Sequence, residues 1–427
     1  MNVAIFVETF PVLSETFILN QIVGLIELGH EVHIHARWPG EATGDVHENI
    51  CRYRILNHVH YDEPIPISKL KRISTAVIRT AHWGWRAPTT TLDSMNVFRH
   101  GRSAISLRLH HETLPAHKKR LVYDVVHCHF GPNGSRAVRL RKFGALRGPV
   151  ITTFHGYDAN KLPRVHGPKI YDELFAHGDA FTVGSEFMHK KLINLGAPKS
   201  KLVRLPMGVD LAFFHPAKKQ GSADQVLRLL SVARLVEVKG IAYALLAVRT
   251  LLDRGVSLTY RVAGDGPLRR QLEASAQQLG LNSNVQFVGA LTQSQIIDLY
   301  SDADIFILPS VVTASGEEES QSVALAEAQA CKLPVVATTI GGNAETVLAG
   351  ETGLLVPPRD PDALASAILW LSEHPDARLK MGEHGRVHVK EHYDLGKLNR
   401  QLVALYDTVA ESYRNKGSKE RMDVAHA

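Results

Sequence analysis

Two acidic side chains in the second half of the chain, Glu319 and Glu327, have a spacing suited to binding a polyol. On a helix, a separation of eight residues spans about two turns, or ~12 Å, and leaves both side chains on roughly one side. Carboxylates accept pairs of hydrogen bonds from vicinal hydroxyls, so Glu319 can hold a sugar while Glu327 holds a ribose. Spacing alone favours a simpler interpretation, a solvated acidic turn followed by a helical glutamate.

Two cations, Arg234 and Lys239, stand where a predicted strand ends and the next helix begins. At that position they can neutralise a diphosphate and stabilise it as a leaving group, in the way a metal ion otherwise does. The alternative is simple surface charge, which is commoner for an arginine and a lysine at a strand end.

Two pairs of glycines mark further turns between strands and helices. Gly264-Asp-Gly266 precedes Pro267, which is placed at the first position of a helix, but an isolated GxG is weak evidence for phosphate binding. Gly341 and Gly342 open a helix that contains Glu345, and the amide groups of such a helix start can bind an anion. Tight packing is the alternative role for either pair.

Two other motifs resemble metal sites. Asp302-Ala-Asp304 matches a DxD motif, but it crosses a predicted helix end and strand start, so the metal interpretation is not preferred. His127 and His129 share one face of a strand, yet no carboxylate or third ligand is near them in the sequence. We therefore assign the two histidines a structural or acceptor-side role.

These residues are positioned by alternating strands and helices. The second half has the clearer alternation, which predicts βαβ units, a parallel sheet covered on both faces and ligand binding at the carboxyl ends of its strands. The predicted strands in this half are 227–233, 258–263, 285–288, 304–308, 334–337 and 353–356. The first half repeats the pattern less regularly, with strands at 3–7, 32–36, 124–129, 150–154, 180–183 and 202–205.

The chain of 427 residues exceeds the size of one ordinary core, so two domains are predicted. Residues 206–225 are rich in Pro, Gly and Lys and form the predicted linker. Ser14 is the predicted N-cap of the first long helix. The apolar residues Leu398, Leu402 and Tyr406 predict a last helix that returns to the first domain, and residues after 414 are predicted to fray.

Composition is that of a soluble globular protein, with 44% hydrophobic and 22% charged residues. Three scattered cysteines and the lack of a signal-peptide pattern predict a cytoplasmic location. The net charge of +6 is concentrated in region 52–120, where basic residues outnumber acidic ones and tryptophans intervene. Such a surface can dock on anionic lipid headgroups or guide an anionic acceptor, while a solvated basic face is an equal alternative.

Taken together, these motifs closely resemble the nucleotide-sugar domain of family 4 retaining glycosyltransferases. The features that carry the resemblance are Arg234 with Lys239, Gly264-Asp-Gly266, Asp304 to Ser310, Glu319 with Glu327, Gly29-His-Glu-Val32 and Thr153-Phe-His-Gly156. It covers nearly the whole chain. Phe10-Pro11 and Ser14-Glu-Thr-Phe-Ile18 resemble a subgroup that makes bacterial exopolysaccharides of the colanic acid kind.

The resemblance implies an α/β GT-B fold with two Rossmann-like, doubly wound domains facing a central cleft. Residues 1–209 would form an acceptor-binding domain completed by a helix at 385–414, residues 210–384 the nucleotide-sugar domain, and residues 415–427 a flexible tail. Arg234 and Lys239 would hold the diphosphate. Glu319 would hold the donor hexose near the reacting carbon, and Glu327 the ribose.

Other site residues follow from the same resemblance. His155 would lie beside the donor sugar and the acceptor, although taken alone a histidine is more often structural. In the first loop, where many relatives carry a pair of glycines, this chain has Ser14 and Thr16, whose hydroxyls are the expected substitutes for backbone contacts. The donor-binding set is completed by four glycines: Gly264, Gly266, Gly341 and Gly342.

The predicted reaction is transfer of a hexose, with retained anomeric configuration, from a nucleoside-diphosphate sugar to a saccharide or lipid-linked saccharide. No cofactor, metal or nucleic-acid partner is predicted, and the enzyme is expected in the cytoplasm, at the inner face of the membrane if region 52–120 binds lipid. Two alternatives remain open: an epimerase of the same fold, which needs no acceptor, and a non-catalytic nucleotide-sugar-binding subunit of a synthase complex.

Overall fold

The computed structural model describes residues 1–12, 15–40, 48–119, 121–216 and 226–425. Within these ranges the chain forms two large parallel β-sheets, one in each half, and each sheet is covered by helices on both faces. The predicted α/β class with two doubly wound sheets is confirmed.

The first sheet is built from the N-terminal half. Its elements are β1 (Asn2–Phe10), α1 (Thr16–Glu27), β2 (Glu31–Pro39), α2 (Glu48–Arg52), β3 (Val59–Tyr61), α3 (Lys69–Trp83), α4 (Pro88–Ser94), α5 (Val97–His100), α6 (Arg102–Ile105), α7 (Arg108–Lys119), β4 (Leu121–Val122), β5 (Val125–His129), α8 (Gly131–Lys142), β6 (Leu146–Arg147), β7 (Val150–Phe154), α9 (Tyr157–His166), α10 (Asp172–His177), β8 (Ala180–Val183), α11 (Glu186–Asn194) and β9 (Leu202–Arg204). Over the described residues its strand order is β3-β2-β1-β5-β7-β8-β9, and β4 pairs separately with β6.

The second sheet is built from the C-terminal half. Its elements are β10 (Leu227–Val232), α12 (Ile241–Asp253), β11 (Leu258–Ala263), α13 (Arg269–Gln278), β12 (Val285–Gly289), α14 (Gln293–Asp302), β13 (Ile305–Leu308), α15 (Val323–Ala330), β14 (Val335–Thr338), α16 (Asn343–Thr346), β15 (Gly353–Val356), α17 (Pro361–Glu373), α18 (Pro375–His392) and α19 (Leu395–Ala425). In the described part of the chain its strand order is β12-β11-β10-β13-β14-β15.

Strand β1 shows why the central strands are mostly continuous apolar runs in the sequence. Its odd-numbered residues Val3 and Ile5 join a core with α1 and α19, whereas Ala4 and Phe6 join a core with α8 on the opposite face. Successive side chains of a strand point to opposite faces, so a central parallel strand must be apolar at every position.

The last helix, α19, returns to the first half as predicted. Leu398, Leu402 and Tyr406 pack in the core beneath β1 and β2, and the Tyr406 hydroxyl lies 2.6 Å from Nδ1 of His127. Residue 384, the predicted end of the second domain, falls inside α18, and α19 extends past residue 414 to Ala425.

Region 52–120, expected only as a basic insertion, is largely helical from α3 to α7. Helices α3, α4 and α6 pack against α7, which also contacts α8, and the insertion exposes many apolar side chains. Among the described residues, no helix combines the length and the apolar character needed to cross a bilayer.

Candidate active site

A cleft of about 810 Å³ lies between the two halves at the carboxyl ends of strands from both sheets. The first half lines it with Glu8, Thr9, Pro11, Val12, Glu15, Thr16, Gly40 and Tyr157, and the second half with Phe214, Val232 to Arg234, Ala263 to Asp265, Ala290 to Gln293, Ile296 and Glu327. This is the position at which doubly wound sheets bind ligands. Of the predicted site residues, Arg234, Gly264 and Glu327 meet on its wall.

Arg234 is the cation on the cleft wall. It follows β10, is exposed to solvent, and its side chain makes no hydrogen bond or ion pair to any residue that the structure describes. Across the cleft, burial raises the pKa of Glu15 to about 7, while the Arg234 charge acts in the opposite direction. A guanidinium without a local partner is available to bind an anion that enters the cleft.

Glu327 lies on α15 with its carboxyl group at the cleft wall. The Tyr300 hydroxyl donates a hydrogen bond of 2.9 Å to Oε2 of Glu327. Burial raises the pKa of Glu327 to about 7, and the Tyr300 hydrogen bond lowers it to a smaller extent. The carboxyl group is therefore oriented by one hydroxyl and keeps acceptor capacity for others.

Glu319 and Lys239 pair with each other. The Lys239 ammonium lies 2.5 Å from Oε2 of Glu319, and the Ser310 hydroxyl approaches the same oxygen at 3.5 Å. Glu319 is buried and precedes α15, so it does not share a helix with Glu327 as the spacing argument assumed. Neither Glu319 nor Lys239 lines the cleft, and the charge of each is already compensated by the other.

The two glycines before α16 hold Glu319 in place. The Gly342 amide donates to the Glu319 carbonyl at 3.1 Å. Gly341 has φ of +54°, and a Cβ there would lie 1.7 Å from the same carbonyl oxygen. The turn was predicted to offer its amides to an anion, but the structure commits the Gly342 amide to Glu319. We refer to Lys239, Ser310, Glu319, Gly341 and Gly342 as the Glu319 cluster.

The two glycines after β11 allow this turn to lie against the backbone of the Arg234 loop. Gly264 has φ of +131°, and a Cβ there would lie 1.9 Å from the Ala233 carbonyl oxygen. A Cβ on Gly266 would lie 2.6 Å from the Leu235 carbonyl oxygen. Their amides donate to Gly289 and to the Asp265 side chain, respectively. The turn therefore sets the position of the Arg234 loop, and only Gly264 reaches the cleft wall.

His155 directly follows β7, on the first-half side of the Glu319 cluster. Its Nε2 lies 3.0 Å from Nδ1 of His129, and the Ser320 hydroxyl donates to its carbonyl oxygen. Burial lowers the pKa of His155 to about 3, with a smaller contribution from His127, so the ring is neutral at physiological pH. His155 does not line the cleft, but it is joined through Ser320 to the chain next to Glu319.

The family can be tested against known sequences. The model for Glycosyltransferase Family 4 matches residues 14–213, and the model for Glycosyl transferases group 1 matches residues 216–388. The putative colanic acid biosynthesis glycosyltransferase WcaL of Salmonella typhimurium is 34% identical over 414 residues, which cover 96% of this chain and 100% of that protein. This chain belongs to glycosyltransferase family 4.

Two further comparisons agree. The amylovoran biosynthesis glycosyltransferase AmsK of Erwinia amylovora is 33% identical over 417 residues, 96% of this chain and 100% of that protein. Among solved structures, Anabaena HepE in complex with UDP superposes with a TM-score of 0.70 at 15% identity, covering 96% of this chain and 100% of HepE. The family predicted from the motifs is confirmed, and so is the GT-B fold.

Two motifs that resembled metal sites have other contacts in this glycosyltransferase. Asp302 pairs with Arg228 and Arg261, and the Arg228 amide donates to Asp304 at 3.0 Å. His127 is buried between the hydroxyls of Tyr406 and Thr153. The described residues include no group of three His, Cys, Asp or Glu side chains placed to hold a metal ion.

Ser14, predicted as an N-cap and a donor contact, lies outside the described residues, whereas its neighbours Glu15 and Thr16 line the cleft. Glu15 had no predicted role, because a single glutamate in the sequence does not indicate that it faces a cleft formed with the other half. It also gave no role to Tyr300, which orients Glu327.

Contacts between the two halves were also not predicted. Glu345 was only a weak candidate for the donor turn. Its two carboxylate oxygens accept hydrogen bonds from the backbone amides of Glu186 and Phe187, at 2.8 and 2.9 Å. The side chain therefore caps the start of α11 in the other half. Lys191 pairs with Glu318 across the same boundary at 3.0 Å. These contacts hold the glycosyltransferase's two halves together beside the Glu319 cluster.

Proposed function

We propose that this glycosyltransferase transfers a hexose from a nucleoside-diphosphate sugar to a saccharide or lipid-linked saccharide in exopolysaccharide biosynthesis. The observation that carries the proposal is the cleft between the strand ends of both halves, where the Arg234 side chain has no hydrogen-bond or ion-pair partner among the described residues. The names of two relatives, which assign them to colanic acid and amylovoran biosynthesis, support the pathway. The UDP bound in HepE supports the donor class.

In this proposal the donor diphosphate binds Arg234. Lys239 lies on the same loop and moves from Glu319 toward the phosphates when the donor is bound, which leaves a carboxylate oxygen of Glu319 to accept a hydroxyl of the hexose. Glu327, held by Tyr300, accepts the ribose hydroxyls. Two cations then stabilise the leaving diphosphate without a divalent metal.

Retention of configuration follows if the acceptor attacks from the face that the diphosphate leaves. No carboxylate is assigned as a covalent nucleophile. His155, neutral at physiological pH, supplies a hydrogen-bonding ring nitrogen on the acceptor side. Closure of the cleft over both substrates would exclude water that hydrolyses the donor.

The reaction is tested by incubating the purified enzyme with UDP-, GDP- and ADP-sugars, with a lipid-linked saccharide acceptor and then without it, in the presence of EDTA. We expect acceptor-dependent transfer with one donor class, and nuclear magnetic resonance of the product to show the donor's anomeric configuration. Conversion of donor to an isomeric nucleotide sugar without acceptor would instead identify an epimerase. Complete dependence on magnesium would contradict the metal-independent step.

We further propose that the helical insertion binds the inner face of the cell membrane. On α3, Leu70, Ile73 and Val77 share one face and are 81%, 54% and 63% exposed, and Phe98 on α5 is fully exposed. The exposed Lys69 and Lys71 flank this face. Apolar side chains beside cations form the kind of surface that binds anionic lipid headgroups and the acyl boundary beneath them.

Vesicle flotation tests this surface. With equal parts of phosphatidylglycerol and phosphatidylcholine, we expect the wild type to float with the vesicles and Leu70→Ser/Val77→Ser to remain behind. Leu379→Ser, an equally exposed leucine on α18, is the matched control and should float. Equal behaviour of all three proteins would favour a solvated basic face.

A further inference from the structure

A second cavity, of about 510 Å³, lies under the helical insertion. We call it the insertion cavity. It is enclosed by the ends of β1 and β2, the segment after β3, and helices α3, α7 and α8, and its lining includes Arg37, Arg72, Arg108, Arg136 and Glu112. Of the predicted donor ligands that the structure describes, none lines it.

Arg136 has buried donors that no described residue satisfies. The residue is 6% exposed and lines the cavity from α8. Its Nη2 pairs with Asp62 at 2.5 Å, but its buried Nε and Nη1 have no hydrogen-bond partner among the described residues. Buried guanidinium donors are rarely left unsatisfied, because their desolvation then has no compensation.

The formal charges of the cavity lining balance, because its four arginines are matched by four acidic residues. Each one pairs with an arginine: Glu8 and Glu112 with Arg37, Glu63 with Arg79, and Asp62 with Arg136. Two lining arginines remain. Arg72 donates to the carbonyl oxygens of Pro66, Ile67 and Ser106 and to no carboxylate, and Arg108 is exposed with no partner in the described part of the chain. Among the described residues, the cavity therefore has two lining arginines without a carboxylate partner, beside the unused donors of Arg136.

Two lining residues show where the cavity leads. Glu8 lines both the insertion cavity and the interdomain cleft, so the two spaces adjoin at the end of β1. On the other side Ile67, which also lines the cavity, is 95% exposed and lies next to the apolar face of α3. The cavity thus connects the surface proposed to bind the membrane with the cleft proposed to bind the donor.

We propose that the insertion cavity binds the phosphate group that joins a saccharide acceptor to its lipid, with Arg136 and Arg108 as the phosphate ligands. This inference rests on the proposed function and specifies the acceptor. The lipid chain would leave past Ile67 toward the membrane, and the saccharide would extend past Glu8 into the cleft. A guanidinium with free donors suits phosphate oxygens, and the adjacent apolar lining suits the first carbons of a lipid chain.

The test measures binding of farnesyl phosphate, a soluble lipid phosphate, by calorimetry with the interdomain cleft saturated by the nucleoside diphosphate that binds best. We expect Arg108→Gln to weaken farnesyl phosphate binding about tenfold or more, as loss of a charged hydrogen bond does. Arg99→Gln, an exposed arginine of the same insertion paired with Asp93, is the charge-matched control and should bind like the wild type. Arg136→Lys, which keeps the charge beside Asp62, should also weaken binding.

The outcomes separate this inference from the proposed function. Unchanged farnesyl phosphate affinity in Arg108→Gln and Arg136→Lys, or complete displacement by the nucleoside diphosphate, would overturn the insertion-cavity proposal. Competition by inorganic phosphate is expected, whereas binding of sodium glucuronate in preference to both phosphates would assign the cavity to an acidic sugar and contradict the proposal. Failure of every nucleoside diphosphate to bind the wild type would count against the donor cleft alone.

Discussion

The Glu319 cluster and the wall of the interdomain cleft both contain motif residues that the sequence reveals. They differ in how many of those residues already bind a partner within the protein. In the cluster, Lys239 and Glu319 compensate each other, and Gly342 donates to the Glu319 backbone. On the cleft wall no residue that the structure describes pairs with the Arg234 side chain, and Glu327 is held by one hydroxyl. The comparison indicates that cluster residues support both folding and binding, whereas Arg234 contributes to binding alone.

The largest effect is expected for Glu319→Ala. It leaves the Lys239 ammonium partly buried without its partner, which should lower the free energy of unfolding by about 3 kcal/mol and reduce transfer at least about a hundredfold. Urea unfolding and initial transfer rates measure both. In Lys239→Met/Glu319→Ala, stability should largely return while transfer stays low.

The exposed Glu237→Ala, on the same turn as Lys239, is the control and should change neither quantity. If Glu319→Ala proved as stable as the wild type, the cluster would not differ from the cleft wall in the way described.

A second comparison, between two glycines at positive φ, tests whether the Arg234 loop depends on close backbone packing. Gly264→Ala and Gly255→Ala both place a methyl group at positive φ, but only the first meets a neighbour, the Ala233 carbonyl oxygen at 1.9 Å. Gly264→Ala should therefore lose at least about 2 kcal/mol more of unfolding free energy than Gly255→Ala. Thermal and urea unfolding of the two variants decide this, and equal losses would show that the Arg234 loop tolerates displacement.

A smaller effect is expected in the pH dependence of stability. The folded-state pKa of Glu327 is about 7, above its ordinary value of 4.5, so between these values the folded state binds more protons than the unfolded state. This group's contribution to stability is present below pH 4.5 and is lost as the pH rises through 7. The Glu327→Gln variant has no titrating group at this position, so this loss of unfolding free energy should be absent from it.

The measurement is the difference in unfolding free energy between Glu327→Gln and the wild type at several values between pH 4.5 and pH 8. Taking the difference removes the contributions of other buried groups, such as His155. The difference should move in favour of the variant as the pH rises, and a difference independent of pH would show that Glu327 titrates normally.

The sequence predicted the strands well because parallel strands buried on both faces are continuous apolar runs. β7, β8, β11 and β15 begin and end at the predicted residues. Helix α9 was missed, since Gly156 precedes it and Pro163 interrupts it. From the sequence, the helical insertion was recognised only by its excess of basic residues. Much of its apolar surface is exposed, so its helices lack the usual pattern of one buried apolar face.

Within the site, residue types and order were predictable, but their partners were not. Lys239 and Glu319 are 80 residues apart and meet only because β10 and β13 are neighbours in the sheet. Glu15 comes from the opposite half, and its raised pKa arises from burial in the assembled cleft. Such contacts depend on long-range packing, which local patterns do not encode.

The central claim is that Arg234 holds the donor's diphosphate in the cleft. Calorimetric titration of the preferred nucleoside diphosphate into the wild type and Arg234→Gln, with EDTA present, tests it most directly. We expect binding to weaken tenfold or more with unfolding temperature unchanged. Arg249→Gln on α12, a partly exposed arginine paired with Asp253, should bind normally. Equal affinity in Arg234→Gln, or binding that appears only when magnesium is added, would contradict the claim.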